Sequence, residues 1–488
     1  MIFNSLPFLY FFPIVTLLFF LIPKRWKNLE PRLYFLLAAS CFFYMYFIPI
    51  YILVLFAAII IDYWAGLKIQ SATDPTLKKR YLWISIISTC SLLFFFKYIN
   101  FAITSWNDIQ NILGWNYSLT ALKIILPVGL SFHTFQSLSY VIEVYYGRFP
   151  AERNFFRYSL FVMYYPQLVA GPIERPQNLL PQLKEFKDFD DDNFRHGLQL
   201  MLWGFFKKTV IADRLGTLIF NVFKQPESYD WKSLIIVGPM FSFQIYTDFS
   251  GYSDIATGAS KVMGINLSKN FITPEFPLTF NEFWQRWHHS LSRWFHDYVF
   301  MPLNSYSKSK FFKTKRFSQI MYANVLITFV LSGIWHGANW TYLAWGLVNG
   351  LIVILERFYA KSNFVTSHRF HLKDHFPKTK MFIIFFTVGM TEIIFRSANV
   401  HKAATHFSGI LSLKDGGSIL FENQFELICA FIFIIMLTLI DWKLQKEWFY
   451  DWVSTLVRWQ RWTLYLLLIF SIAIFGSFGS EKYVYFQF

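Results

Sequence analysis

Apolar runs, most of them near the ~20 residues a bilayer core requires, alternate with short polar or basic segments along almost the whole chain. The pattern predicts spans at Leu6–Ile22, Tyr34–Phe47, Tyr51–Leu67, Tyr81–Phe96, Leu122–Val144 and Phe155–Val169. A hydrophilic stretch follows at Glu174–Arg195, whose acidic run reads as a solvated surface. Leu198–Ile211 and Ile235–Tyr246 are the next spans, with polar Thr247–Asp254 after them. Two apolar runs, Ser318–Trp335 and Trp340–Glu356, enclose a short break, and Met381–Ile394, Leu427–Ile440 and Trp462–Ile474 complete the set. Asn100–Ser118 reads as polar sequence between spans. The fold class is therefore all-α and polytopic, with about 11–13 transmembrane or re-entrant helices. No internal repeat is visible, so a two-halves transporter architecture has no support in the sequence.

Composition agrees with that pattern. Of the 488 residues, 55% are hydrophobic and only 15% charged, more apolar surface than a soluble chain can hide. The net charge of +15 sits in short Lys/Arg clusters between apolar runs, the pattern of cytoplasmic loops facing anionic lipid, and does not point to nucleic acid. Cys41, Cys90 and Cys429 lie inside apolar segments without paired spacing, so they imply neither disulfides nor a thiolate metal site. Met1–Ile22 has its positive charges after the apolar run and reads as a retained first span. Placing the basic loops Lys24–Arg32, Lys68–Arg80, Lys308–Arg316 and Arg357–Lys380 in the cytoplasm makes the runs on either side of His336 a hairpin entering from that side.

Chemistry concentrates in two stretches. Asn281–Asp297, read as one helix, separates into stripes: Trp284, His288, Leu291 and Phe295 share an apolar face, whereas His289 and His296 point to a polar side. Gly333–Asn339 places His336 between two apolar runs, where Gly333 and Gly337 are expected to ease a bend. An ionisable residue in such a setting is a functional-site hypothesis. His288, His289 and His296 do not share one helical face and no carboxylate ligand is obvious beside them, so no metal site is assigned. There is also no nucleophile elbow. Acid–base work by imidazole remains. His336 is the candidate general base and His288 the supporting residue. Asn339 is a candidate for orienting an imidazole or a carbonyl, and Trp335, Trp284, Trp287 and Asp254 are candidates for lining a substrate tunnel.

The run from Phe283 to Tyr298 resembles the F-W-x-R-W-H-x-S-L-S-x-W-F-x-D-Y signature of the membrane-bound O-acyltransferase family, closest to its alginate O-acetylation branch. Trp335–Trp340 resembles that branch's W-H-G-A-N-W element. Asp248–Asp254, Pro166–Arg175 and the terminal Tyr485–Phe488 are similar to the family as well. His296 departs from it, standing where relatives often carry Arg. The resemblance implies a ring of helices around a central tunnel, in a single domain. Residues 1–120 would supply N-terminal spans, 121–356 the catalytic core and 357–488 C-terminal spans.

Carried over position by position, the invariant family histidine falls on His336 and the second on His288. The implied activity moves an acetyl group from a cytoplasmic thioester, acetyl-CoA or another acyl thioester, towards an extracytoplasmic polysaccharide. No tightly bound cofactor is implied. An extracytoplasmic esterase-like acyltransferase is the implied partner, and a bacterial inner membrane the implied location. Two alternatives stay open: D-alanyl transfer towards teichoic acid by the same fold, and a polytopic transporter that uses its histidines as a proton relay.

Overall fold

A computed structural model describes the chain except residues 116, 315, 361–375, 416, 419–423 and 478–488. Tyr485–Phe488 and most of the Arg357–Lys380 loop lie outside the described residues. Among the described residues the only β-pairing consists of isolated bridges, and all regular elements are helical. Among the described residues five helices are long and apolar enough to cross a membrane. The chain divides into two compact units, Met1–Met201 with Ile255–Ser268, and Leu202–Asp254 with the described residues from Lys269 onward.

In the first unit the helices are α1 (Leu6–Leu21), α2 (Pro31–Met45), α3 (Tyr51–Ser71), α4 (Pro75–Leu93), α5 (Ile99–Leu113), α6 (Leu130–Tyr145), α7 (Phe155–Met163) and α8 (Pro176–Lys184). α9 (Asp191–Phe205) follows them. α4 continues through a π-helical turn, Phe94–Tyr98, into α5, so most of polar Asn100–Ser118 is helix rather than a break between spans. The expected span Leu122–Val144 is helical only from Leu130. Gly129 sets that start: its φ is +76°, and a Cβ there would stand 2.7 Å from the Leu168 carbonyl oxygen.

Polar side chains join these helices where apolar packing alone would leave their rotation free. Asp62 on α3 accepts hydrogen bonds from Ser85 (2.5 Å) and Thr89 (3.1 Å) of α4 and from Ser137 of α6, and all four are buried. Arg157 on α7 donates to both oxygens of Glu30 at 2.8 Å and to Glu152 at 3.0 Å. Both Glu30 contacts come from one guanidinium nitrogen and the Glu152 contact from the other, so the charged head is held from two sides.

The second unit contains α10 (Asp213–Lys224), most of α11 (Trp231–Val262), α12 (Phe280–Arg286), α13 (His289–Phe295), α14 (Met301–Phe311), α15 (Phe317–His336) and α16 (Trp340–Ala360). Then come α17 (Pro377–Arg396), α18 (Val400–Leu411), α19 (Gln424–Lys443), α20 (Phe449–Thr455) and α21 (Arg458–Phe475). Thr247–Asp254 is not a break. It lies within the 32 residues of α11, with Asp248 and Asp254 turned to buried lysines. Those lysines lie in a π-helical turn, Phe206–Ala212. Lys207 pairs with Asp254 at 2.6 Å, and Lys208 bridges Asp213 (2.7 Å) and Asp248 (2.5 Å). A buried ammonium needs such partners, because breaking one side leaves an uncompensated charge.

Candidate active site

The first histidine stretch is not one helix. α12 has seven residues, too short to cross a bilayer, whereas α13 continues without interruption through a π-helical turn, His296–Phe300, into α14. α12 is capped by Thr279, whose hydroxyl accepts from the Glu282 N–H at 2.9 Å, and braced by the Arg286–Glu282 ion pair at 2.7 Å. It stops at Trp287, and His288 takes the left-handed conformation, φ 42° and ψ 54°. A residue with a Cβ pays roughly 1–2 kcal/mol for that geometry, so the surrounding contacts must hold it. The His289 N–H donates to the Asn270 carbonyl at 2.7 Å, and the Ile272 N–H to the Arg286 carbonyl at 3.0 Å.

The His288 side chain is held as firmly as its backbone. Its Nδ1 lies 3.0 Å from Asn270 Oδ1, which also accepts from Ser290 at 2.9 Å, while the Asn270 amide donates to Ser253 at 3.0 Å. Phe249 meets the ring edge-on at 4.6 Å and Phe271 lies over it at 6.1 Å. Burial, followed by the neighbouring His336 and His289, pushes the pKa of His288 well below the usual imidazole value. At neutral pH it is therefore a free base.

His336 closes α15, and the chain then crosses an extended Gly337 to reach α16. The glycines here serve close approach rather than a bend. Gly333 sits inside α15, where a Cβ would stand 2.2 Å from the Tyr342 carbonyl oxygen. One at Gly337 would stand 2.0 Å from the Tyr342 ring. Rings pack against the His336 imidazole, Trp335 at 5.1 Å and Trp345 and Phe395 both at 5.3 Å.

Both histidines open onto one cavity of about 300 Å³. Trp284, Trp287 and Phe329 give it apolar walls, and Ser292, Thr328 and Ser332 supply hydroxyls. Arg293 and Arg357 are its permanently charged lining residues, and no described Asp or Glu lines it.

Of the residues singled out in the sequence, His336, His288, His289, His296, Trp284 and Trp287 all come together in the cavity wall. Trp335 stands behind it, its ring 5.1 Å from His336 and 6.3 Å from His288. Asp254 and Asn339 are placed elsewhere. Asp254 pairs with Lys207; the Asn339 amide donates to the Ala398 carbonyl at 2.8 Å, and its oxygen accepts from the Thr341 N–H at 3.1 Å at the start of α16. His289 bonds the Gln285 carbonyl through Nδ1, and His296 bonds Asp297. Sequence reasoning missed Asn270, Trp345 and Phe395. Asn270 offered a faint signal as a polar residue beside an aromatic one, whereas Phe395 is one of many in an apolar run.

The family model of the membrane-bound O-acyltransferases matches residues 150–397. The chain is similar to the Probable alginate O-acetylase AlgI of Pseudomonas putida, 35% identical over 85% of this chain and 81% of that protein. It is also similar to the Peptidoglycan O-acetyltransferase of Helicobacter pylori, 31% identical over 85% of this chain and 80% of that protein. The Teichoic acid D-alanyltransferase of Bacillus subtilis is 30% identical over 49% of this chain and 61% of its own length.

Proposed function

Because the chain belongs to the membrane-bound O-acyltransferase family and is a multi-pass O-acyltransferase, we propose that it moves an acetyl group from a cytoplasmic thioester across a bacterial inner membrane. The final acceptor is a hydroxyl of an extracytoplasmic polysaccharide, reached with an esterase-like protein as partner. The observation that carries the reading is a cavity lined by four imidazoles, His336 and His288 among them, with no carboxylate in its described wall.

In this reading neutral His336 takes the proton of the attacking hydroxyl as its oxygen bonds to the thioester carbonyl carbon. The tetrahedral adduct collapses, the carbon–sulfur bond breaks, and the imidazolium returns the proton to the departing thiolate. No proton is gained or lost overall. A thioester is already activated, so alignment and one proton transfer are the main demands on the protein. His288 supports the step from the same wall. The acetyl assignment rests on relatives of both acetylating kinds covering 85% of the chain, against 49–55% for D-alanyl relatives.

The test uses purified protein in vesicles supplied with labelled acetyl-CoA on the face that carries Lys308–Arg316. Label should appear in an O-acetylated glycan or on the partner, and His336→Ala should prevent it. Label moving only from a D-alanyl thioester, or no protein-dependent transfer, would overturn the reading.

A further inference from the structure

Behind the wall that carries His336, α17 brings a carboxyl to an aromatic cluster. Glu392 is 3% exposed, and its Oε1 accepts from the Trp345 ring N–H at 3.3 Å. Its other oxygen is buried with no hydrogen-bond partner among the described residues. Trp345 in turn meets the His336 imidazole edge-on, centroids 5.3 Å apart and planes 84° apart. Phe395, three residues beyond Glu392 and so on the same helical face, meets both the imidazole (5.3 Å) and Trp345 (5.2 Å). One face of α17 therefore sets two of the rings that pack on His336.

We propose that Glu392 is a positioning residue for His336, acting through the Trp345 indole as a hydrogen-bond acceptor and not as a charge. A buried indole N–H requires an acceptor. Without one the ring is free to turn about its side-chain bonds, and the imidazole loses the wall that fixes its plane. A charge has no use at this point. The carboxyl receives a single donor in an apolar setting, where an ionised group is costly, and it does not line the cavity. A glutamine carbonyl meets the same N–H equally well. The inference rests on the general-base reading of His336.

The experiment compares Glu392→Leu, Glu392→Gln, Trp345→Phe and the double variant Glu392→Leu/Trp345→Phe in the full-length protein. Glu392→Leu and Trp345→Phe should each lower kcat by about 10²-fold, the scale of a misplaced reacting group, with KM little changed. The double variant should be no worse than either, and Glu392→Gln should retain most of the turnover. A multiplied loss in the double variant, an unimpaired Glu392→Leu, or a Glu392→Gln as damaged as Glu392→Leu would each overturn the proposal. A second readout needs no transfer: the rate at which diethyl pyrocarbonate modifies His336, followed by mass spectrometry. Glu392→Leu and Trp345→Phe should raise it alike while Glu392→Gln leaves it unchanged; unequal rates would sink the proposal. If the wild type moves no acetyl from any thioester, the general-base reading fails and the modification rates still decide the role of Glu392.

Discussion

The two chain breaks that present His288 and His336 hold their imidazoles by opposite means. At His288 the backbone itself is distorted into the left-handed region, and polar contacts to Asn270 hold it there. At His336 the residue instead ends a regular helix. There the force is steric: glycines let α15 and α16 approach until nothing larger than hydrogen fits, and rings fill the rest. A strained backbone at a functional site persists only because its surroundings over-determine it. A packed helix end is stiff without strain. The candidate base thus sits at a packed helix end and its supporting residue at a left-handed backbone held by polar contacts.

That comparison is broken first by removing the base. His336→Ala should lower transfer by roughly 10²–10⁴-fold, the usual contribution of general acid–base catalysis, while the melting temperature in detergent stays close to wild type. Transfer near the wild-type rate would show that the proton goes elsewhere. The next largest effect is expected at His288. His288→Asn keeps a residue type that tolerates the left-handed backbone, so turnover should fall strongly with stability nearly preserved. A variant that instead unfolds while keeping its residual rate would make His288 a packing residue. Third, Gly333→Ala attacks the steric mount. Its Cβ meets a backbone oxygen rather than a movable side chain, so a destabilisation of about 1–3 kcal/mol is expected, with slower turnover. An unchanged melting temperature would mean that α15 and α16 are less tightly apposed than their geometry states.

These mounts were unequally legible. The hydrophobic pattern located His336 between two helices, because a break in an apolar run shows in composition. It did not locate the break at His288. Trp284, Leu291 and Phe295 keep helical spacing across it, and the contacts that stop the helix come from Asn270 and Ile272, distant in sequence. The same limit explains α11. Thr247–Asp254 looked like a polar interruption because its partners, Lys207 and Lys208, are some 40 residues away. Glu392 sits in a predicted span and gave no sign that its neighbour in space would be Trp345. Elements set by local periodicity were readable; elements set by buried polar pairs were not.

pH sharpens the comparison in a smaller step. Because burial lowers the pKa of His288, the unfolded chain binds a proton there at pH values where the folded chain does not. Stability contributed by the neutral ring is therefore fully present above the unfolded value, ~6.5, and is lost as pH falls below it, by at most about 1.4 kcal/mol per pH unit. The melting temperature should drop on acidification through that value, and His288→Asn should remove part of the slope. An identical slope in both proteins would place the titrating group elsewhere.

The smallest effect is expected at His289, next to His288 in sequence and outside the strained bond. Its Nδ1 meets the Gln285 carbonyl at 2.9 Å, one helical turn back, and the residue is only partly buried. Although its side chain lines the cavity, what holds the break is its backbone N–H, donated to Asn270. Glutamine keeps that N–H, and its side-chain amide can replace the ring as a donor to Gln285. His289→Gln should therefore leave turnover within a few-fold of wild type and leave the acid slope of stability in place. If it abolished transfer while His288→Asn left transfer intact, the proton-handling role would belong to the exposed histidine. The left-handed residue would then be a hinge that aims its neighbour.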